Sequence, residues 1–270
     1  MTPLPKIAFI GGGNMAAAIL GGLRRQGVPA AQFIVVEPLA SQREKLAAEL
    51  GVMALPQADE SLRQAAVVVW AVKPQLFVEA AAPCAPHVGS ALQLSIMAGI
   101  RSDALVAATG SHQVVRAMPN TPALVGRGVA GLFAREAVSD TQRAQVETVL
   151  APTGRCLWVA RESDLDAVTA LSGSGPAYVF FFIEAMIQAG VEMGLPAAQA
   201  RELAQETFAG AAALASQSPE TPETLRQRVT SKGGTTHAAI TSMEASGVKE
   251  AFVRALHAAR RRAQELGSAS

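Results

Sequence analysis

Cysteine is nearly absent: Cys84 and Cys156 are the two in a chain of 270 residues. That is too few for a disulfide framework, and neither lies in a Cys-x-x-Cys or Cys/His cluster, so a structural metal is not expected. Charge of one sign is equally scarce. The formal net charge is +1 and the one basic run is Arg260-Arg261-Arg262, which leaves no electrostatic footprint for nucleic acid or an anionic membrane. Long hydrophobic runs are missing too. The most apolar stretch, Ala177 to Ile187, is interrupted by Glu184 and falls short of the roughly 20 residues needed to span a bilayer, predicting a buried helix. Lys6 to Ile10 already reads as a strand running into a glycine turn, so no signal peptide is expected before it and the predicted compartment is the cytoplasm.

What is present is apolar surface and alternation. Half the residues are hydrophobic, enough for two domains at roughly 150 residues each. Short apolar runs alternate with helical patterns through the first half, predicting βαβ units and a mostly parallel sheet. The expected strands are Ile7-Ile10, Phe33-Glu37, Val67-Val72, Leu92-Ile96, Val114-Ala117 and Val129-Phe133, with Cys156-Val159 last. Ala16, Ile19, Leu20 and Leu23 recur at helical spacing, and Ser41 with Glu44 has the spacing of a capping box. Beyond Val159 the texture becomes helical. The expected class is therefore α/β, with a Rossmann-type doubly wound sheet over residues 1–159 and an all-α dimerisation domain over residues 160–270. Tyr178 to Ile183 is apolar around the whole helix circumference, and about 110 residues can hardly enclose it, so a subunit interface is predicted there.

Gly11-Gly12-Gly13-Asn14-Met15-Ala16 follows the first strand and opens the first helix, in the G-x-G-x-x-A form of a dinucleotide-binding turn. Gly11 permits the turn, Gly13 lets backbone approach a pyrophosphate, and the free helix N–H groups hold phosphate. Glu37 at the end of the next strand suits an adenosine ribose and taken alone favours NADH, while Arg43 and Lys45 just beyond leave NADPH open. Ala71-Val72-Lys73-Pro74 ends another strand at the carboxyl edge, where ligands bind. Arg116-Ala117-Met118-Pro119-Asn120-Thr121-Pro122 forms a proline-stiffened turn that aims Asn120 at the cleft or is an ordinary loop. Leu171 to Tyr178 and Ser231-Lys232-Gly233-Gly234-Thr235-Thr236 each put small polar residues before a helix, where free N–H groups suit a carboxylate or the residues simply cap.

Taken in this order, these segments resemble the pyrroline-5-carboxylate reductase family from Ile7 to about Leu266, most of all at Ser231 to Ile240. The resemblance implies reduction of L-1-pyrroline-5-carboxylate to L-proline with NADPH or NADH, and helical C-terminal domains that intertwine as homodimers, often in larger rings. It implies that Gly11, Gly13, Asn14 and Met15 contact pyrophosphate, that Val72, Lys73 and Pro74 flank the nicotinamide ribose, and that Ala98 lies at the cofactor. Met97 stands where the family often has a small residue. Thr236 resembles the family's threonine at the imine nitrogen, with Ser231, Gly234 and Thr235 binding the carboxylate and Asn120 nearby.

Little acid–base machinery is needed for such a substrate. A protonated iminium that accepts hydride becomes a neutral amine, so orientation is the main task and a hydroxyl suffices at the nitrogen. His87, His112 and His257 lie outside the motifs, and His237 follows Thr236. Two other readings fit parts of the chain. A β-hydroxyacid dehydrogenase shares the domain order but needs a lysine early in the helix after the glycine-rich segment, and Pro176 to Met193 has none. A nucleotide-sensing protein would keep the fold and lose turnover.

Overall fold

The computed structural model describes residues 5–268. The first part of the chain alternates as expected: β1 (Ile7–Ile10), α1 (Asn14–Arg25), β2 (Phe33–Val36), α2 (Ala40–Leu50), β3 (Ala54–Leu55), β4 (Val67–Trp70), α3 (Phe77–Val88), β5 (Leu92–Ser95), α4 (Ser102–Thr109), β6 (Val114–Met118), β7 (Gly128–Ala134), α5 (Asp140–Leu150) and β8 (Gly154–Trp158). The strands form one sheet in the order β3-β2-β1-β4-β5-β6-β7-β8, parallel throughout except for the antiparallel pair β6 and β7. Both faces are covered, so the central strands are apolar along their whole length. Ile7, Phe9, Val35 and Leu94 pack on one face, with Ile19, Leu20 and Leu23 of α1. Ala8, Val68 and Trp70 pack on the other, with Phe77 and Cys84 of α3.

Gln93 is a polar exception in this core and is fully satisfied: its Oε1 accepts from Trp70 Nε1 (2.9 Å), and its Nε2 donates to the carbonyls of Val88 (2.7 Å) and Ala91 (2.8 Å). Burial pushes the Cys84 thiol up to about 11. Roughly one thiol in a thousand is then ionised at pH 8. Native protein treated with iodoacetamide should therefore label at the half-buried Cys156 first, and at Cys84 only on unfolding; equal native rates would contradict this packing.

Two local expectations change. The predicted capping box at Ser41 is not formed, because α2 begins two residues earlier than that cap requires, with Leu39 at its N-cap and no side-chain cap. The two-residue β3 is too short for a period to show.

After β8 the described chain is helical: α6 (Asp164–Val168), a π-turn at Thr169–Gly173, α7 (Gly175–Glu192), α8 (Ala197–Gln217), α9 (Pro222–Arg228), α10 (Thr235–Ala245) and α11 (Val248–Ser268). Two compact units result. The first runs to Ser174 and takes in the end of the chain from Ala259, and the second is Gly175–Ala258. The last strand ends near the division at residue 159, but compactness divides the chain later, because α6 packs on the sheet. A Cβ at Gly131 of β7 would stand 2.7 Å from Val168 Cγ1.

In the second unit Phe252 of α11 lies between Tyr178 and Phe182 of α7, with centroids 5.7 and 5.5 Å away and the rings edge to face. Most of the remaining apolar surface of α7 is open, including Phe180 and Phe181. The expectation that this stretch is too short to span a bilayer needs correction. The helical run is continuous over Asp164–Glu192, long and apolar enough by length and composition to cross one. The π-turn carries the helix through Ser172-Gly173 and extends it N-terminally beyond the apolar run.

Candidate active site

The glycine turn sits where the strand order reverses: β1 is hydrogen-bonded to β2 on one side and β4 on the other, the position that opens a crevice at the carboxyl ends of the strands. Gly11 has φ +96, and a Cβ there would meet the Ala71 carbonyl oxygen at 2.7 Å. Only glycine fits both the conformation and this contact. The Gly11 N–H donates to Val36 O (2.8 Å) and the Ala71 N–H to Ile10 O (2.8 Å), so the exits of β1, β2 and β4 are stitched together.

Gly13 is the N-cap of α1 and provides no side-chain cap. The N–H groups of Asn14, Met15 and Ala16 consequently lack acceptors within the helix and add to its positive end. Gly13 and Asn14 are exposed, and no atom lies within 4 Å of a Cβ built on Gly13. An open, positively polarised cradle of backbone donors is what a dinucleotide pyrophosphate requires, so these residues fit such a cofactor.

Glu37 lies just beyond β2 as expected, but its carboxylate is turned inward and only 7% of the residue is exposed. Oε2 accepts from the Gly12 N–H (2.8 Å) and Oε1 from the Leu39 N–H (2.9 Å), while Gln42 Nε2 donates to Gly12 O (2.6 Å). Glu37 thus braces the middle of the glycine turn. Arg43 lies over the same corner, its Nη1 donating to the carbonyls of Glu37 (3.0 Å) and Pro38 (2.7 Å).

Val72 and Lys73 follow β4, and Pro74 opens a 3₁₀ turn with Lys73 exposed as its N-cap. In the next loop Ala98 is exposed, whereas Met97 is 3% exposed and packs into the core with its N–H on Ser95 Oγ (3.3 Å). The bulkier residue therefore points away from the surface Ala98 presents. Asn120 acts as a bracket: Nδ2 donates to the carbonyl and hydroxyl of Ser172 (both 3.3 Å), and Oδ1 accepts from the Val129 N–H (3.0 Å). Leu171 to Tyr178 is not the fresh helix start expected, since the Ser174 N–H is bonded to Thr169 O (2.8 Å) in the π-turn.

In the second unit, Ser231 to Gly234 forms a tight turn closed by the Gly234 N–H on Ser231 O (3.0 Å), with Gly233 at φ +78. Gly234 is the N-cap of α10 and has no side chain to cap it, so the N–H groups of Thr235, Thr236 and His237 are left for an external acceptor. Thr236 is half-buried, and Ser231, Thr235 and His237 are exposed.

Sequence reasoning missed one cluster. Glu162 accepts from the Ser102 N–H (2.7 Å), the Ser102 hydroxyl (2.6 Å) and Arg116 Nη1 (2.8 Å). Burial pushes the Glu162 carboxyl up, but the bonds from Ser102 and Arg116 outweigh it and hold the group below its ordinary value of 4.5. Its contribution to stability is complete above that value and is lost as pH falls through the lower folded-state value. The partners are separated by 46 and 60 residues in sequence, and no local signal marks such a pairing. Among the described residues no cluster of His, Cys, Asp and Glu is arranged to hold a metal.

Comparison with known proteins accounts for both halves. A family model described as pyrroline-5-carboxylate reductase dimerisation matches residues 162–266, and one described as NADP oxidoreductase, coenzyme F420-dependent, matches residues 6–99. A pyrroline-5-carboxylate reductase of Pseudomonas aeruginosa is 46% identical over 264 residues, covering 97% of each chain. One from Haemophilus influenzae is 44% identical over 263 residues, covering 96% of this chain and 97% of its own. The structure of a pyrroline-5-carboxylate reductase from Coxiella burnetii superposes with a TM-score of 0.91 at 36% identity, covering 97% of this chain and 98% of that one. A Plasmodium falciparum pyrroline carboxylate reductase with NADP bound gives 0.86 at 28% identity, covering 99% and 100%. With sequence identity of this level along nearly its whole length, the chain belongs to the pyrroline-5-carboxylate reductase family.

Proposed function

We infer that this chain is an NAD(P)H-dependent pyrroline-5-carboxylate reductase, reducing the C=N bond of L-1-pyrroline-5-carboxylate to give L-proline. The observation that carries this is the near-full-length identity with reductases of that name, joined to a glycine turn shaped for a dinucleotide. The NADP oxidoreductase model and the NADP-bound Plasmodium structure support the cofactor class. The covering of its helical part by a dimerisation model supports a homo-oligomer. A dimer through these helices, in larger rings or alone, and a second copy rather than lipid over α7 are the finer form of that reading. Two unpaired cysteines suit a reducing compartment, the cytoplasm.

Gly11, Gly13, Asn14 and Met15 would hold the pyrophosphate, with Glu37 bracing the turn; Val72, Lys73, Pro74 and Ala98 would flank the nicotinamide end. When bound, the reduced nicotinamide supplies a hydride. The N–H groups at the start of α10, with Ser231, Gly234 and Thr235, would take the substrate carboxylate, and the Thr236 hydroxyl would orient the imine nitrogen. Asn120 would serve by fixing its loop. If the substrate binds as the protonated iminium, the chain needs no general acid at the nitrogen and Thr236 only positions it; if it binds as the neutral imine, the Thr236 hydroxyl is placed to donate.

Initial rates for pyrroline-5-carboxylate with NADH and NADPH side by side test the activity; absence of turnover with both would defeat it. Thr236→Ala should lower kcat/KM by about tenfold to a hundredfold, the worth of one hydrogen bond to a charged group. Thr236→Ser should keep most of the activity. Wild-type kcat/KM in a folded Thr236→Ala enzyme would remove Thr236 from the mechanism.

A further inference from the structure

The cluster around Glu162 joins two segments of the first unit that the proposed chemistry uses, the Ala98 loop and the turn carrying Asn120. Ser102 opens α4 directly after the loop carrying Ala98. Arg116 lies in β6, four residues before Asn120. Glu162 leads into α6 and then the π-turn bearing Ser172, to which Asn120 donates. A second arm runs beside the first: Arg101 Nη2 pairs with Asp166 Oδ2 at 2.8 Å. The end of α11 closes it from behind, since a Cβ on Gly267 would fall 2.5 Å from Arg101 Nη2 and one on Gly99 would fall 3.6 Å from Leu266. The ties therefore form a closed circuit, from the Ala98 loop to Glu162, to Arg116 and β6, to Asn120, to Ser172, and back through α6 to Asp166 and Arg101.

Arg116 shows how much rests on one carboxylate. Its residue is 5% exposed, Nη1 is bonded to Glu162, and Nε is buried without a partner. A buried guanidinium with an orphan N–H is costly for a strand that could hold an apolar residue there. The geometry points to Glu162 as a positioning residue for hydride transfer: its carboxylate sets the Ala98 loop against the Asn120–Ser172 bracket as one rigid body. With its carboxylate bonded to Ser102 and Arg116, Glu162 acts through them and is none of the residues that would hold substrate or cofactor. This inference rests on the proposed reductase activity. Misplacing a reacting group by about 1 Å costs up to about a hundredfold in rate, so kcat should respond while cofactor affinity, set mainly at the glycine turn that none of these ties includes, should not.

The test measures kcat, cofactor Kd and the primary deuterium isotope effect with reduced cofactor labelled at C4, in wild type, Glu162→Ala, Glu162→Gln and Ser102→Ala. Wild-type turnover of pyrroline-5-carboxylate comes first, and its absence sinks the reductase reading rather than this one. Glu162→Ala, which breaks all three ties, should lose roughly tenfold to a hundredfold in kcat with a larger isotope effect and a Kd within about twofold of wild type. Glu162→Gln keeps the shape and an acceptor but removes the charge that pairs with Arg116, and should give a kcat between those of Glu162→Ala and wild type. If Glu162→Ala fails to fold, Ser102→Ala decides, since it leaves the Arg116–Glu162 pair intact and should show the same signature at about threefold or more. An unchanged isotope effect, with kcat falling only as the folded fraction falls, means that Glu162 is merely structural and overturns the inference. So does a Kd that rises in step with the loss of kcat.

Discussion

Gly13→Val should abolish measurable cofactor binding and leave the melting temperature of the protein nearly unchanged. The residue is extended, at φ −65 and ψ −174, where a branched side chain is tolerated, and the space around its Cβ is empty to 4 Å. Folding therefore has little to lose. The side chain would instead occupy the approach to the N–H groups that open α1. Losing two charge-assisted hydrogen bonds to pyrophosphate removes about 3 kcal/mol or more, at least a hundredfold in Kd. Gly11 could not serve for this test. A Cβ there collides with the Ala71 carbonyl and forces the exits of β1 and β4 apart, so loss of binding would be mixed with loss of structure. Titration of the variant with NADH and with NADPH, beside a thermal melt, separates the two effects; undiminished affinity with either nucleotide would show that the turn does not hold the phosphates.

That prediction could be framed from sequence because the turn is local. A strand, a glycine pattern and a helical stripe lie within Ile7 to Leu23, and each carries its own periodicity. The same holds for the sheet, whose strands are short continuous apolar runs, and for the turn at Ser231 to Thr236. Features made by distant partners stayed hidden. The position of Glu37 at the end of a strand suits a ribose and is legible locally, whereas its inward turn onto Gly12 depends on a backbone N–H 25 residues away. The proline-stiffened turn around Asn120 leaves a cleft-facing amide or an ordinary loop open, and the bond from that amide to Ser172 spans 52 residues. The junction at Glu162 left no trace, since a lone Glu before a helix looks like any first-turn acid. The π-turn was also illegible. Ser172-Gly173-Ser174 has the composition of a helix start, and only the pairing of the Ser174 N–H with Thr169 O reveals a helix already under way.

Phe181→Asp should convert the protein to monomers, and Phe182→Asp should unfold the helical part instead. Sequence alone treats these neighbours as equivalent, since both lie on a helix apolar all round. The structure separates them. Phe182 is half-buried, with its ring against Phe252 at 5.5 Å, so a carboxylate there loses packing within its own chain. Truncating a packed phenylalanine costs about 3 to 5 kcal/mol before any charge is considered. Phe181 is 67% exposed and Phe180 beside it 58%, a large apolar pair for a free surface. If a second copy covers this face with two-fold symmetry, every Phe181→Asp dimer carries the substitution twice. Each buried unpaired carboxylate costs several kcal/mol, so the dissociation constant should rise by at least a thousandfold. Sedimentation velocity over a dilution series, with circular dichroism as the folding control, gives the answer. A folded Phe181→Asp protein that stays dimeric down to nanomolar concentration would place the interface on another face of the helices. A Phe182→Asp protein with wild-type melting temperature would deny the Phe252 contact its role in holding α7 to α11.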